Sequence, residues 1–190
     1  PRVRRQRQMC IRDSIITYYI CIKQLNKPLK QNDMKTLDYI QLDKQKVENV
    51  INGLQQLLAD FQVYYTNLRG LHWNIKGHSF FVLHSKFEDM YNSAAETIDE
   101  IAERILMLGG TPQHQFSNYL QTANIKESGY IDNADKALNN IGETLKVLIA
   151  EERELLSLAS ETKDEVTVAM ISDLLKGQEK MIWMLSAYAS

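Results

Sequence analysis

The sequence predicts an all-α fold, a four-helix bundle in which one connection is a long crossover. Three observations carry this. Four stretches repeat apolar residues at helical spacing. Only three prolines and eight glycines interrupt 190 residues. One connection is long enough to run the length of a bundle, whereas the others are short. With 44% hydrophobic residues the chain can bury a full core in one domain, and no stretch is long enough to span a bilayer.

The first long helix is read from Val47, Ile51, Leu54, Leu58, Phe61, Tyr65 and Leu68, which alternate spacings of three and four. The next position in phase is His72. A second runs from Ser79 to Leu108, opening after Gly77 and stopping at Gly109-Gly110-Thr111-Pro112. Its apolar stripe is Phe87, Tyr91, Ala94, Ile98, Ile101, Ile105 and Leu108. The crossover follows, about 20 residues from Gly109 to Ile131, with a short helix around Ser117–Gln121. A third long helix is expected over Asn133–Ala159, with Ala137, Leu138, Ile141, Leu145, Leu148 and Ile149 in phase. Thr162 and Glu165 form a capping-box pattern that starts a fourth, whose apolar positions include Val166, Met170, Ile171, Leu174, Leu175, Met181, Ile182 and Leu185.

Residues 1–33 read as a separate basic N-terminal extension, and residues 34–190 as the bundle domain. The extension is net +6 and the remainder net −8. Both cysteines, Cys10 and Cys21, lie in the extension, which shows no sustained amphipathic period. Three readings compete for it: a tail that binds DNA phosphates with steep salt dependence, a signal peptide with Ile15–Ile22 as its apolar run, and non-native sequence ahead of a natural start at Met34. On the last reading, which we favour, the remaining protein is acidic, lacks cysteine and has no electrostatic means of holding DNA. Its expected location is the cytoplasm.

The polar constellation is His72, His84, Glu88, Asp99 and Glu103. Nitrogen and oxygen donors in this mixture suit a redox-active divalent metal such as iron. On a helical projection His84, Glu88, Asp99 and Glu103 fall within about 100° of one another, on one stripe. Yet 15 residues separate His84 from Asp99, roughly 22 Å of helix. One metal centre is out of reach of both ends. The halves meet only if a second copy of the helix lies antiparallel, which predicts a site shared across a two-fold dimer interface. Carboxylates four apart on a helix are ordinarily a solvated face. Here Asp99 and Glu103 repel by about 0.2–0.5 kcal/mol unless a cation sits there. Ala95, Ala102 and Leu106 share their stripe, so a second buried face is expected. His72 joins His84 across the short Gly77 turn, and Trp73 beside it reads as packing, with radical quenching as its secondary role.

The stretch LHWNIKGHSFFVLHSKFEDMY, followed by TIDEIAERILMLGGTP, resembles the Dps family of mini-ferritins (DNA-binding protein from starved cells). The resemblance covers Met34 to Ser190 and implies a ferritin-like four-helix bundle. The family's intersubunit ferroxidase centre uses two histidines and acidic residues from two chains, and His72, His84, Asp99 and Glu103 match that pattern. At the fourth residue after the second histidine the family usually has Asp where this chain has Glu88. The extra methylene still permits ligation while altering coordination distance or occupancy of the weaker iron position.

What the resemblance further implies is a hollow dodecamer, built from two-fold dimers, that stores ferric mineral. Two ferrous ions bind at each intersubunit site and are oxidised, preferably by hydrogen peroxide. His72 and His84 hold the tighter iron with Asp99 and Glu103, and Glu88 serves the second. Iron enters through an acidic pore, for which Glu161, Asp164 and Glu165 are candidates, although acids in a helix's first turn are more often macrodipole partners. Two other classes compete with this one. A conventional ferritin carries its di-iron site inside one bundle on Glu-x-x-His pairs, and no Glu here is followed three residues later by His. A nucleoid-compacting DNA binder without significant ferroxidase activity would rest on the basic extension alone.

Overall fold

The structure, a computed structural model, describes residues 36–188. The readings made for residues 1–33, a DNA-binding tail included, lie outside them. The described residues form six helices: α1 (Thr36–Ile40), α2 (Lys44–Asn74), α3 (Phe80–Met107), α4 (Phe116–Thr122), α5 (Ala134–Glu161) and α6 (Glu165–Tyr188). No strand occurs among them. The bundle is two antiparallel hairpins, α2–α3 and α5–α6, joined through α2 against α5, with α4 laid on α2. No described helix is long and apolar enough to cross a membrane.

Helix ends follow local chemistry. Asp43 caps α2 by accepting from the Gln45 amide at 2.9 Å. Helix α3 closes in a Schellman motif: Gly109 takes φ +81, its N–H bonds Leu106 O, and the Gly110 N–H bonds Ile105 O. The carbonyls left open at a helix end are thereby satisfied. Helix α5 closes the same way, but on Lys163 at φ +58, with Lys163 N–H on Ser160 O and Asp164 N–H on Ala159 O. Asp164 then caps α6, its Oδ1 accepting from the Thr167 amide at 3.0 Å. The expected Thr162–Glu165 capping box is therefore not formed. Thr162 is the C-cap of α5, its hydroxyl donating to Ala159 O, and Asp164 supplies the cap two residues later.

The core fills the space between the hairpins. Val47, Val50, Leu54, Phe87, Ile101, Ile105, Leu148 and Ile171 are all fully buried, each removing roughly 1.5–3 kcal/mol of apolar side chain from water. Gly53 allows the close approach of α2 and α5, because a Cβ there would meet Leu155 Cδ1 at 2.9 Å. Opposite, α3 and α6 touch sparsely, and a cavity of about 420 Å³ opens between them.

The crossover has no ladder for its backbone groups, so α2 side chains serve instead. Gln55 binds Thr111 O and the Gln113 amide; Gln56 binds Thr122 O. Buried Asp60 accepts from the Ile125 amide at 2.7 Å. Asn67 bridges Lys126 O and the Ser128 amide. One face of α2 is thus a row of polar clamps.

Candidate metal centre

His72 lies in the last turn of α2 and His84 in the first turns of α3. Gly77, at φ +100, reverses the chain between them. Their rings stack with centroids 3.8 Å apart and planes 21° from parallel. His72 Nδ1 lies 2.8 Å from His84 O, and His84 Nδ1 lies 2.9 Å from His72 O. A carbonyl only accepts, so each Nδ1 carries a proton, and in the neutral ring the lone pair is then on Nε2. Neither Nε2 has a hydrogen-bond partner among the described residues. A carbonyl that fixes one ring nitrogen so that the other can ligate is the usual support of a metal-binding histidine. Phe80 stacks on His84 at 5.0 Å, and Tyr91 meets His72 edge-on at 5.3 Å.

Sequence reasoning placed Tyr91 in the core stripe and missed its second use. Its ring flanks His72 and its hydroxyl reaches Glu88 Oε1 at 3.5 Å. Glu88 itself is exposed. The spacing could have shown this, since His84, Glu88 and Tyr91 are three and four apart and share a face.

Asp99 and Glu103 are exposed, farther along the unbroken α3. They are not brought to the histidines. Among the described residues no three His, Cys, Asp or Glu side chains cluster to hold a metal ion. The second buried face expected for α3 is open in the single chain: Ala95 is exposed and Leu106 is 54% exposed. Trp73, expected to pack, is likewise open in the single chain. It is 63% exposed, with the Arg69 guanidinium 4.6 Å above its ring. Phe81 and Val82, at the start of α3, are also exposed, so apolar surface surrounds the histidine pair.

The ferritin-like domain family matches residues 51–190. A DNA protection during starvation protein of Porphyromonas gingivalis is 51% identical over 156 residues, 82% of this chain and 98% of that one. The chain belongs to the Dps family. Its fold is similar to that of the Dps protein of Vibrio cholerae, described as a member of a broad superfamily of ferritin-like diiron-carboxylate proteins. That match has TM-score 0.77 and 44% identity, over 78% of this chain and 94% of that one. The Dps protein of Bacillus brevis is similar at TM-score 0.75 and 33% identity, over 78% and 100%.

In this Dps-family chain the three acids considered for a pore line one pocket but differ in burial. Glu161 and Glu165 are exposed. Asp164 is 2% exposed and fully engaged: Oδ1 takes Arg104 Nη2 at 2.5 Å and the Thr167 amide, and Oδ2 takes the Thr167 hydroxyl at 2.6 Å. Arg104 Nε also donates to Thr167 Oγ1 at 2.9 Å. Burial pushes the Asp164 carboxyl up, but hydrogen bonds from Arg104 and Thr167 outweigh it and hold the group below its ordinary value. Asp164 thus fastens α3 to α6, with both of its oxygens paired inside the chain. Arg104, its partner, went unnoticed in the sequence, although its position beside Ile101 and Ile105 sets a cation on the apolar face.

Proposed function

We propose that this protein is an iron-storing and iron-detoxifying ferroxidase whose sites form between two chains. The observation that carries the reading is the histidine pair. Its Nδ1 atoms are spent on backbone carbonyls, its Nε2 atoms are unspent, and exposed Trp73, Phe81 and Val82 lie around it. Unspent ligands beside exposed apolar surface suit a contact with another chain. An antiparallel second copy of α3 brings Asp99 and Glu103 to His72, His84 and Glu88, and the two-fold operator makes every contact twice. The Dps name of the relatives and the diiron-carboxylate description of the Vibrio cholerae protein support iron as the substrate.

In this reading each site binds two ferrous ions. Each gives one electron to the same hydrogen peroxide, whose O–O bond breaks while two protons are taken up and two waters form. Pairing the electrons avoids hydroxyl radical. The neutral imidazoles supply donors without charge, and the carboxylates offset the charge gained as iron becomes ferric. Assembly continues to a dodecameric shell in the cytoplasm that stores ferric mineral, protecting DNA and the cell from oxidative damage, with Glu161 and Glu165 as pore acids. A DNA-compacting role without the oxidase is the alternative, resting on the net +6 of residues 1–33.

The test is anaerobic ferrous titration followed by a peroxide pulse, alongside His72→Ala/His84→Ala. Fast ferric formation that consumes about one peroxide per two irons, lost in the variant, supports the oxidase. Equal rates in both proteins overturn it, and salt-dependent DNA retardation that disappears without residues 1–33 favours the alternative.

A further inference from the structure

Three buried side-chain atoms among the described residues have no hydrogen-bond partner: Glu151 Oε2, Glu152 Oε2 and Gln178 Oε1. All lie around the middle of α5. Glu152 is 0% exposed, and its Oε1 accepts from Gln178 Nε2. The orphans on this pair are both acceptors if Glu152 is ionised, so neither relieves the other. A single proton on Glu152 Oε2 makes that oxygen a donor and pairs acid with amide.

The same reasoning applies one residue earlier, about 100° round the helix. Glu151 Oε1 accepts from Asn124 Nδ2 at 2.8 Å, and its carboxyl lies within hydrogen-bonding reach of Asp60. Asp60 already accepts from the Ile125 amide and from Gln56 Nε2 at 2.6 Å. Two ionised carboxylates in contact offer no donor, whereas a proton on Glu151 Oε2 supplies one. Two protons therefore account for all three orphans, at a place where an unpaired buried acceptor is destabilising.

We propose that Glu151 and Glu152 are neutral carboxylic acids in the native fold, a pH-sensitive fastening of α5 to the crossover and α2 on one side and to α6 on the other. The surroundings agree. Around Glu151 stand Asp60 on α2 and Glu154 on α5, and around Glu152 stands Glu151. The neighbouring cations are turned elsewhere: Lys126 Nζ donates to Ala123 O, and Arg153 pairs with Glu179 on the exposed side. Burial, added to by the neighbouring carboxyls and opposed by the Asn124 and Gln178 amides, raises Glu151 to about 7 and Glu152 to about 8. The fastening is at full strength below the ordinary glutamate value of 4.5 and weakens as pH rises towards 7 for Glu151 and 8 for Glu152. Its weakest state is alkaline. The crossover is the segment most affected, because Asn124 and Ile125 hang on the Asp60–Glu151 pair.

Infrared spectroscopy of the full chain in heavy water at about pH 6 tests this, since protonated carboxyls absorb apart from carboxylates. The native protein should show a protonated-carboxyl band that is about halved in Glu151→Gln or Glu152→Gln and gone in the double variant. No band in the native protein, or a band unchanged in the double variant, overturns the proposal. The native spectrum decides even if a variant fails to fold. Hydrogen exchange adds the crossover arm. Protection of the Ile125 amide should fall by more than about tenfold between pH 5 and pH 8 in the native protein and stay level in Glu151→Gln. The same fall in both proteins removes the crossover from the proposal.

Discussion

The two ends of α3 hold polar clusters of opposite character. At the start, His72 and His84 spend one ring nitrogen each on backbone carbonyls and leave the other unused, beside exposed Trp73, Phe81 and Val82. At the end, Arg104, Asp164 and Thr167 form a closed set in which both Asp164 oxygens, the Arg104 Nε and Nη2, and the Thr167 hydroxyl and amide are all paired. A closed set has nothing left to offer a ligand. An open set beside exposed apolar surface still has donors to offer a ligand. Asp164 and Asp99 are both aspartates of a ferritin-like bundle, and only the state of their oxygens tells them apart.

The difference can be attacked from either end. Removing the unused nitrogens with His72→Ala/His84→Ala should abolish rapid peroxide-driven iron oxidation while the fold persists, because the chain loses only two Nδ1–carbonyl bonds and one ring stack at the hairpin turn, and the buried core is untouched. Retained oxidation would mean that the open end is not the site. At the closed end Asp164→Ala should leave iron chemistry to the folded fraction but destabilise the subunit by about 3–5 kcal/mol, since it strands a buried guanidinium and uncaps α6. Thermal unfolding measures this, and a loss under about 1 kcal/mol would show that the Arg104–Asp164 pair is solvated after all. Because Asp164 is held below its ordinary value, its contribution is present at neutral pH and fades in acid, as pH drops below 3.8 and through the lowered native value. The wild-type and variant melting curves should therefore converge at the acid end. The smallest effect is beside it: Lys163 sits at φ +58 where glycine carries no Cβ penalty. Lys163→Gly should stabilise by up to about 1 kcal/mol, and a loss of stability would place the Lys163 side chain in a contact that the Schellman turn does not explain.

Much of this was legible in the sequence. The long helices end within one or two residues of the expected positions, because Gly109 and Asn133 mark them chemically. The approach of His72 to His84 followed from the Gly77 turn and the phase of the first stripe. Other features were harder to see. A Ser/Thr-x-x-Glu pattern cannot say which of two neighbouring side chains will cap, and Asp164 displaced Thr162 because the Schellman turn on Lys163 delays α6 by two residues. Trp73 reads as packing beside His72, yet one residue along a helix is a turn of 100°, enough to bring it to the surface of the single chain. Glu152 was hidden in plain phase. It continues the buried series Ile141, Leu145 and Leu148 towards Leu155 and Ala159, and only the fold reveals that Gln178 faces it. The two halves of the polar stripe on α3 would be paired only by a second chain, which periodicity can require but not supply.

That pairing is the central claim, and mixed assembly tests it most directly. Subunits carrying His72→Ala/His84→Ala are unfolded, mixed equally with subunits carrying Asp99→Ala/Glu103→Ala, and refolded together. If each site draws its histidines from one chain and its acids from the other, half the dimers are mixed and each contains one intact site. About a quarter of the wild-type peroxide-driven oxidation should then return, although neither parent has any. No recovery in verified mixed assemblies would contradict a shared site and return the ligands to a single chain.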